Sequence, residues 1–178
     1  MANLIYVDNS VTCIEGQHVA AYAYGLAPSL CDAVTNNICD NSWNLDFGKL
    51  IARAGGSTTN VAKVALFGRR PPHNDSLWEA ARRNGWDVKI CDRSAANQEH
   101  QIHTDLVVTM IKDSFLALQP GDEMTLVAGG SDYAPAIEKL KARGITVRVV
   151  YWTHASLELE QIATKFIELD LYLDHLSR

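Results

Sequence analysis

The sequence predicts an α/β protein with a mostly parallel central sheet and helices on both faces. Three observations carry that expectation: five short apolar runs, helical patterns in the intervals between them, and a composition suited to one packed core. Strands that alternate with helices at this spacing form βαβ units, whose crossovers are right-handed and whose strands run parallel. With 178 residues, 47% hydrophobic and 21% charged, the chain is long enough to bury about 70% of its unfolded surface in a single domain.

Asn3–Asp8 is an apolar run closed by an acid and reads as a buried first strand. Val61–Phe67, followed by Gly68, is the second. Trp86–Cys91 alternates more strongly, which places it nearer a sheet edge. Met124–Ala128 before Gly129 and Gly130 is the fourth, and Val147–Trp152 the fifth. Between them, residues 75–84 carry Leu77, Trp78 and Ala81 at helical spacing and stop at Asn84-Gly85. Residues 104–118 set Leu106, Val107, Met110, Ile111 and Leu118 on one apolar face. Ser131 or Asp132 caps a helix reaching Arg143-Gly144, and Ser156-Leu157-Glu158 opens another. Residues 17–42 fit this rhythm poorly. A short helix over His18–Tyr24 is expected there, followed by an irregular, Asn- and Asp-rich excursion.

Composition excludes several classes of function. The net charge of −5 is modest and the apolar fraction ordinary, so the chain is expected to fold rather than remain disordered. No apolar stretch approaches the ~18 residues of a membrane span, and no secretory leader is visible at Met1, so a cytoplasmic protein without a membrane partner is expected. Cys13, Cys31, Cys39 and Cys91 form no CxxC pair and read as reduced thiols, with Cys13 and Cys91 as small buried hydrophobes. Neither Ser10 nor any cysteine has an evident His and acid partner for acyl transfer. Gly129-Gly130 lacks both the P-loop lysine and dinucleotide-binding spacing. Trp78, Trp86 and Trp152 are expected on core faces, while Trp43, Tyr22 and Tyr24 lie in or beside the excursion, where packing onto the core is the default.

An open parallel sheet binds ligands beyond the carboxyl ends of its strands, where the strand order switches. Those ends carry Asp8-Asn9-Ser10, Arg69-Arg70, and Ser131-Asp132. Two carboxylates near two arginines suggest a divalent cation with a phosphate ligand, because Mg²⁺ takes carboxylate oxygen and an arginine fork matches phosphate. The competing reading makes Asp8 and Asp132 turn and helix caps, and Arg69 and Arg70 solvated loop residues.

Seven segments strengthen the first reading. Asp8-Asn9-Ser10, Ile14–Gln17, Phe67–Pro72, Gly85-Trp86, Ile102–Ile111, Gly129–Tyr133 and Phe166–Asp170 together resemble the NYN-domain family of PIN-like nucleases. The resemblance spans residue 3 to about residue 175. It implies a Rossmann-like PIN fold and Mg²⁺- or Mn²⁺-dependent cleavage of RNA by three or four acids at the strand ends. It also implies that Asp8 and Asp132 are catalytic and metal-binding, with Asn9, Ser10, Arg69, Arg70 and Ser131 on the substrate.

The chain departs from the family pattern at four positions. Val11, His103, Thr109 and Gly130 stand where polar or acidic groups are usual, so Asp8 and Asp132 alone remain. Two carboxylates hold Mg²⁺ poorly. Asp105, Thr109 and Asp113 are spaced to share a helix face, so Asp105 or Asp113 could supplement the site, although a solvated face is the simpler reading. His103, with His100, could ligate a softer metal such as Mn²⁺ or Zn²⁺. The expectation is a catalytically degenerate domain that binds RNA or a protein, a regulator of a partner nuclease being one form of it. The alternative is an active Mg²⁺- or Mn²⁺-dependent RNA endonuclease with a rearranged acidic site. A homodimer through the edge near the third strand is compatible with either, and no DNA sequence readout is expected.

Overall fold

A computed structural model describes residues 1–55, 60–69, 76–91 and 98–178. Six parallel strands form one sheet: β1 (Asn3–Asp8), β2 (Val61–Arg69), β3 (Asp87–Cys91), β4 (Glu123–Val127), β5 (Thr146–Tyr151) and β6 (Lys165–Glu168). Their order is β3-β2-β1-β4-β5-β6. The order reverses at β1, which pairs with β2 on one side and β4 on the other. A crevice therefore opens between the carboxyl ends of β1 and β4.

All six β1 residues are buried, as suits a central parallel strand covered on both faces. Alternation then divides them. Ile5 and Val7 join one core with Leu50 from α3 (Phe47–Gly55), Trp78 from α4 (Ser76–Arg83), and Trp43 and Trp152. Leu4 and Tyr6 join the other with Ile102, Leu106 and Met110 from α5 (Gln98–Ala117) and Ile137 and Leu140 from α6 (Ala134–Ala142). Asp8 continues the Leu4–Tyr6 parity, so its side chain projects toward α5.

The five expected strands are present, and β3 is an edge. The structure adds β6, whose four residues are too short to stand out by periodicity. The excursion is partly helical: α1 (Thr12–Ala23) begins earlier than expected, and α2 (Leu30–Thr35) is capped by the Ser29 side chain accepting from the Asp32 N–H. Small residues hide the first turns of α1. Gly16 lies against Trp43 and Trp152, and a Cβ there would come within 2.6 Å of either ring. The helix thus packs by close backbone approach rather than by a stripe of large side chains. Trp43 meets Trp152 edge-on, with ring centroids 5.7 Å apart, and donates to the Leu173 carbonyl of α8 (Leu173–Leu176). It is a core residue, whereas Tyr22 and Tyr24 are exposed. Trp86 is only half-buried, and Cys13 and Cys91 are half-buried rather than enclosed, because Cys91 belongs to the edge strand.

The strand ends are tightly built. A Cβ on Gly129 would lie 2.1 Å from a ring carbon of buried Tyr151. Tyr151 has no solvent into which to move, so Gly129→Ala is expected to cost about 1–3 kcal/mol or more by overpacking. Chemical denaturation would check this, and an unchanged midpoint would show that the ring can yield.

Candidate functional site

The site is built on Asp8 at the end of β1. Its side chain is almost inaccessible, at 1% exposure, and a lone ionised carboxylate there would be costly. Four donor contacts compensate. Ser10 donates both its N–H, at 2.9 Å, and its hydroxyl, at 2.5 Å, to Oδ1. The Tyr133 hydroxyl donates to Oδ2 at 2.7 Å, and His103 Nε2 lies 3.1 Å from the same oxygen.

His103 also reaches outward. Its Nδ1 lies 3.2 Å from Oδ2 of Asp132, an aspartate with 61% side-chain exposure. An imidazole donates from both nitrogens only as the cation. When protonated, the ring bridges the two carboxylates as a positive charge; it is tilted against the Tyr133 ring at 5.4 Å. The electrostatics agree. The hydrogen bond to Asp8 raises the His103 pKa, against burial, and the charges of Asp8 and Asp132 add to the effect. Burial alone would raise the Asp8 carboxyl, but hydrogen bonds from His103, Ser10 and Tyr133 outweigh it and hold the group below its usual value.

The remaining expected residues separate. Ser10 is present, but its hydroxyl is committed to Asp8. Ser131 is exposed beside Asp132, and Asn9 Oδ1 is buried with no hydrogen-bond partner among the described residues. Arg69 ends β2, half-buried; Arg70 and the His100 side chain lie outside the described residues. Asp105 is exposed on α5. Asp113 is drawn elsewhere: it accepts from Tyr6 Oη and Lys63 Nζ, both at 2.7 Å. The shared-face spacing holds, but ten residues along α5 separate His103 from Asp113, about 15 Å at the helical rise. Asp113 thus lies beside Tyr6, away from the strand ends.

Thr109, where the family pattern has an acid, donates to the Asp105 carbonyl and accepts from Lys89 Nζ at 3.0 Å. Lys89 of β3 thereby ties the edge strand to α5. Tyr133 is the contributor to the Asp8 site that sequence reasoning missed. Tyr133 lay inside a recognised motif, but only the fold aims its hydroxyl at Asp8.

These residues do not fit a Mg²⁺ ion as arranged. Both Asp8 oxygens are occupied by donors, and a cationic ring stands between the two carboxylates that would share the ion. Among the described residues, no group of three or more His, Cys, Asp or Glu side chains is placed to hold a metal. The single orphaned oxygen of Asn9 does not complete an octahedral set.

A second cluster lies on the α1 side of the same strand ends. Glu15 accepts from His154 and contacts His18 Nδ1 at 3.3 Å, while His18 Nε2 reaches Asn37 at 3.2 Å. It ties α1 to the segment after β5 and to the end of α2.

The six-stranded parallel sheet, with a buried acid at its β1–β4 switch point, is consistent with a PIN-like fold. The chain belongs to the NYN domain family, whose model matches residues 28–170. No curated protein matches it as a relative. No helix of the described residues is long and apolar enough to cross a membrane.

Proposed function

We propose that this NYN domain binds RNA without hydrolysing it through a metal, and that His103 has taken over the role of the cation. The supporting observation is the Asp8–His103–Asp132 bridge. Buried Asp8, held by Ser10 and Tyr133, fixes the ring; exposed Asp132 is a replaceable acceptor. A phosphodiester oxygen can take the place of the Asp132 carboxylate on Nδ1–H, forming a charge-assisted hydrogen bond of the kind that anchors nucleic-acid backbones. Ser131, exposed beside it, supplies a hydroxyl donor. The neighbouring cavity of about 260 Å³, walled by His103, Thr104 and Val107, gives the backbone room. Asp8 is then a positioning residue for His103.

The test is a labelled, partly structured RNA assayed for binding and for cleavage. Affinity is expected to persist in EDTA, to weaken as salt rises, and to fall about tenfold in His103→Gln, the loss of one charge-assisted contact. No product beyond that of Asp8→Asn is expected in Mg²⁺ or Mn²⁺. Metal-dependent product from the parent, absent in Asp8→Asn, would instead establish an active endonuclease with a rearranged site.

A protein-facing role has an observation of its own. Val108 and Phe115 are exposed on α5 and, with Ile111 between them, follow a 3-4 spacing, while Asp105 and Lys112 flank the stripe seven residues apart. In a two-fold antiparallel contact this stripe is self-complementary: Val108 meets Ile111 of the partner subunit, and Asp105 meets Lys112 of the partner subunit. A second copy of the chain is therefore the occupant proposed for this face. Light scattering should give a dimer that Val108→Glu converts to a monomer; a monomeric parent at high concentration would remove this reading.

A further inference from the structure

On the sheet face opposite Asp8, at the β6 edge, α3 and the chain after β6 enclose a cavity of about 400 Å³. Its inner wall is Arg148 of β5. A central parallel strand ordinarily fills such a position with Val or Ile, yet this arginine is 8% exposed and shares the inward parity of Val150. A buried guanidinium presents five N–H groups that need acceptors. Those it has are distant: the Gly55 carbonyl at 3.4 Å and Glu123 Oε2 at 3.5 Å. Nε is buried and has no hydrogen-bond partner among the described residues.

Two further cations line the same cavity. Lys165 is aligned with Arg148 on the adjacent strand and therefore faces the same side. Arg53 of α3 lies over the Tyr172 ring, 3.4 Å from its centroid, which sets the guanidinium plane against an aromatic wall. Glu168 is the one acid in the lining. Glu123 pairs with Arg148 from beside the cavity, and three cations against these two acids, in a chain of net charge −5, leave a positive excess in a cleft where low-dielectric walls focus it. The volume is within the range of small-ligand pockets.

We propose that this cavity is a phosphate-binding site, its ligand the phosphate of a mononucleotide or of an RNA strand. Arg148 supplies the deep donors, Lys165 neutralises charge at the mouth, and Arg53 on Tyr172 offers a flat surface to a sugar or base. The inference is independent of the His103 reading, since no residue is shared and the two sites lie on opposite faces of the sheet.

The experiment is calorimetric titration of the full chain with pyrophosphate, with AMP, and with a single-stranded RNA decamer. The parent is compared with Arg148→Met, Arg53→Gln and Lys165→Gln, each checked for folding by circular dichroism. Saturable binding of at least one probe is expected, weakened about tenfold or more in Arg148→Met and less in the two rim variants. AMP binding without decamer binding assigns a free nucleotide; decamer binding that AMP displaces assigns a strand. If Arg148→Met does not fold, the rim variants alone decide. No binding of any probe at millimolar concentration, or binding that no folded variant alters, would overturn the proposal.

Discussion

His103→Asp is expected to bind Mn²⁺ at least tenfold more tightly than the parent. The parent places a cationic ring between Asp8 and Asp132, at 3.1 Å and 3.2 Å from their oxygens. The substitution removes that charge and adds a carboxylate, giving three acids around one point. Charge count and oxygen donors are what set affinity for hard divalent cations. The helix need not move, because the His103 backbone is held by its neighbours Ile102 and Leu106, both fully buried. Paramagnetic broadening of amides near Asp8 would report the binding. Equal affinity in the two proteins would mean that the ring is not what keeps the metal away.

The second large effect is on stability. Asp8→Asn should lower stability by about 3 kcal/mol, because it removes one partner of a buried, hydrogen-bonded charge pair and turns an amide toward donors. For a domain of this size that is roughly a 6–12 °C fall in midpoint. A site of unpaired acids awaiting a metal would respond in the opposite direction, since removing one acid relieves repulsion. The effect also depends on pH. His103 has a raised pKa when folded, so its contribution is complete below the ordinary histidine value and is lost as pH rises through the folded one. Asp8 has a lowered pKa, so its contribution is complete above the ordinary carboxylate value and is lost as pH falls through the folded one. The difference between parent and Asp8→Asn should therefore be greatest between about pH 4 and pH 6.5 and shrink on both sides. A difference independent of pH would detach stability from the bridge.

The fold was legible where periodicity carries it and less so where packing is made by small residues. β1 reads as a buried strand because four consecutive residues, Leu4 to Val7, are suited to burial on both faces. The second half of α1 reads as a short helix over His18–Tyr24, but its first turns do not, because Gly16 meets Trp43 and Trp152 by close backbone approach rather than through a large apolar side chain. The family match agrees with the resemblance carried by the strand-end motifs.

The site was legible as a place more than as an arrangement. Asp8 and Asp132 could be assigned to the switch point from strand ends alone. The direction of α5 could not, and it decides everything beyond them. That direction brings His103 over Asp8 and carries Asp113 to Tyr6 and Lys63. A histidine in a sequence has no visible partner; the fold sets this one between two aspartates.

The most direct measurement of that role is the ¹⁵N spectrum of the His103 ring at about pH 6.5, recorded before and after adding Mg²⁺. The account predicts two protonated ring nitrogens whose signals do not move as Mg²⁺ reaches millimolar concentration. A neutral ring, or ring signals that shift with saturable Mg²⁺ binding, would contradict it and return Asp8 and Asp132 to the metal.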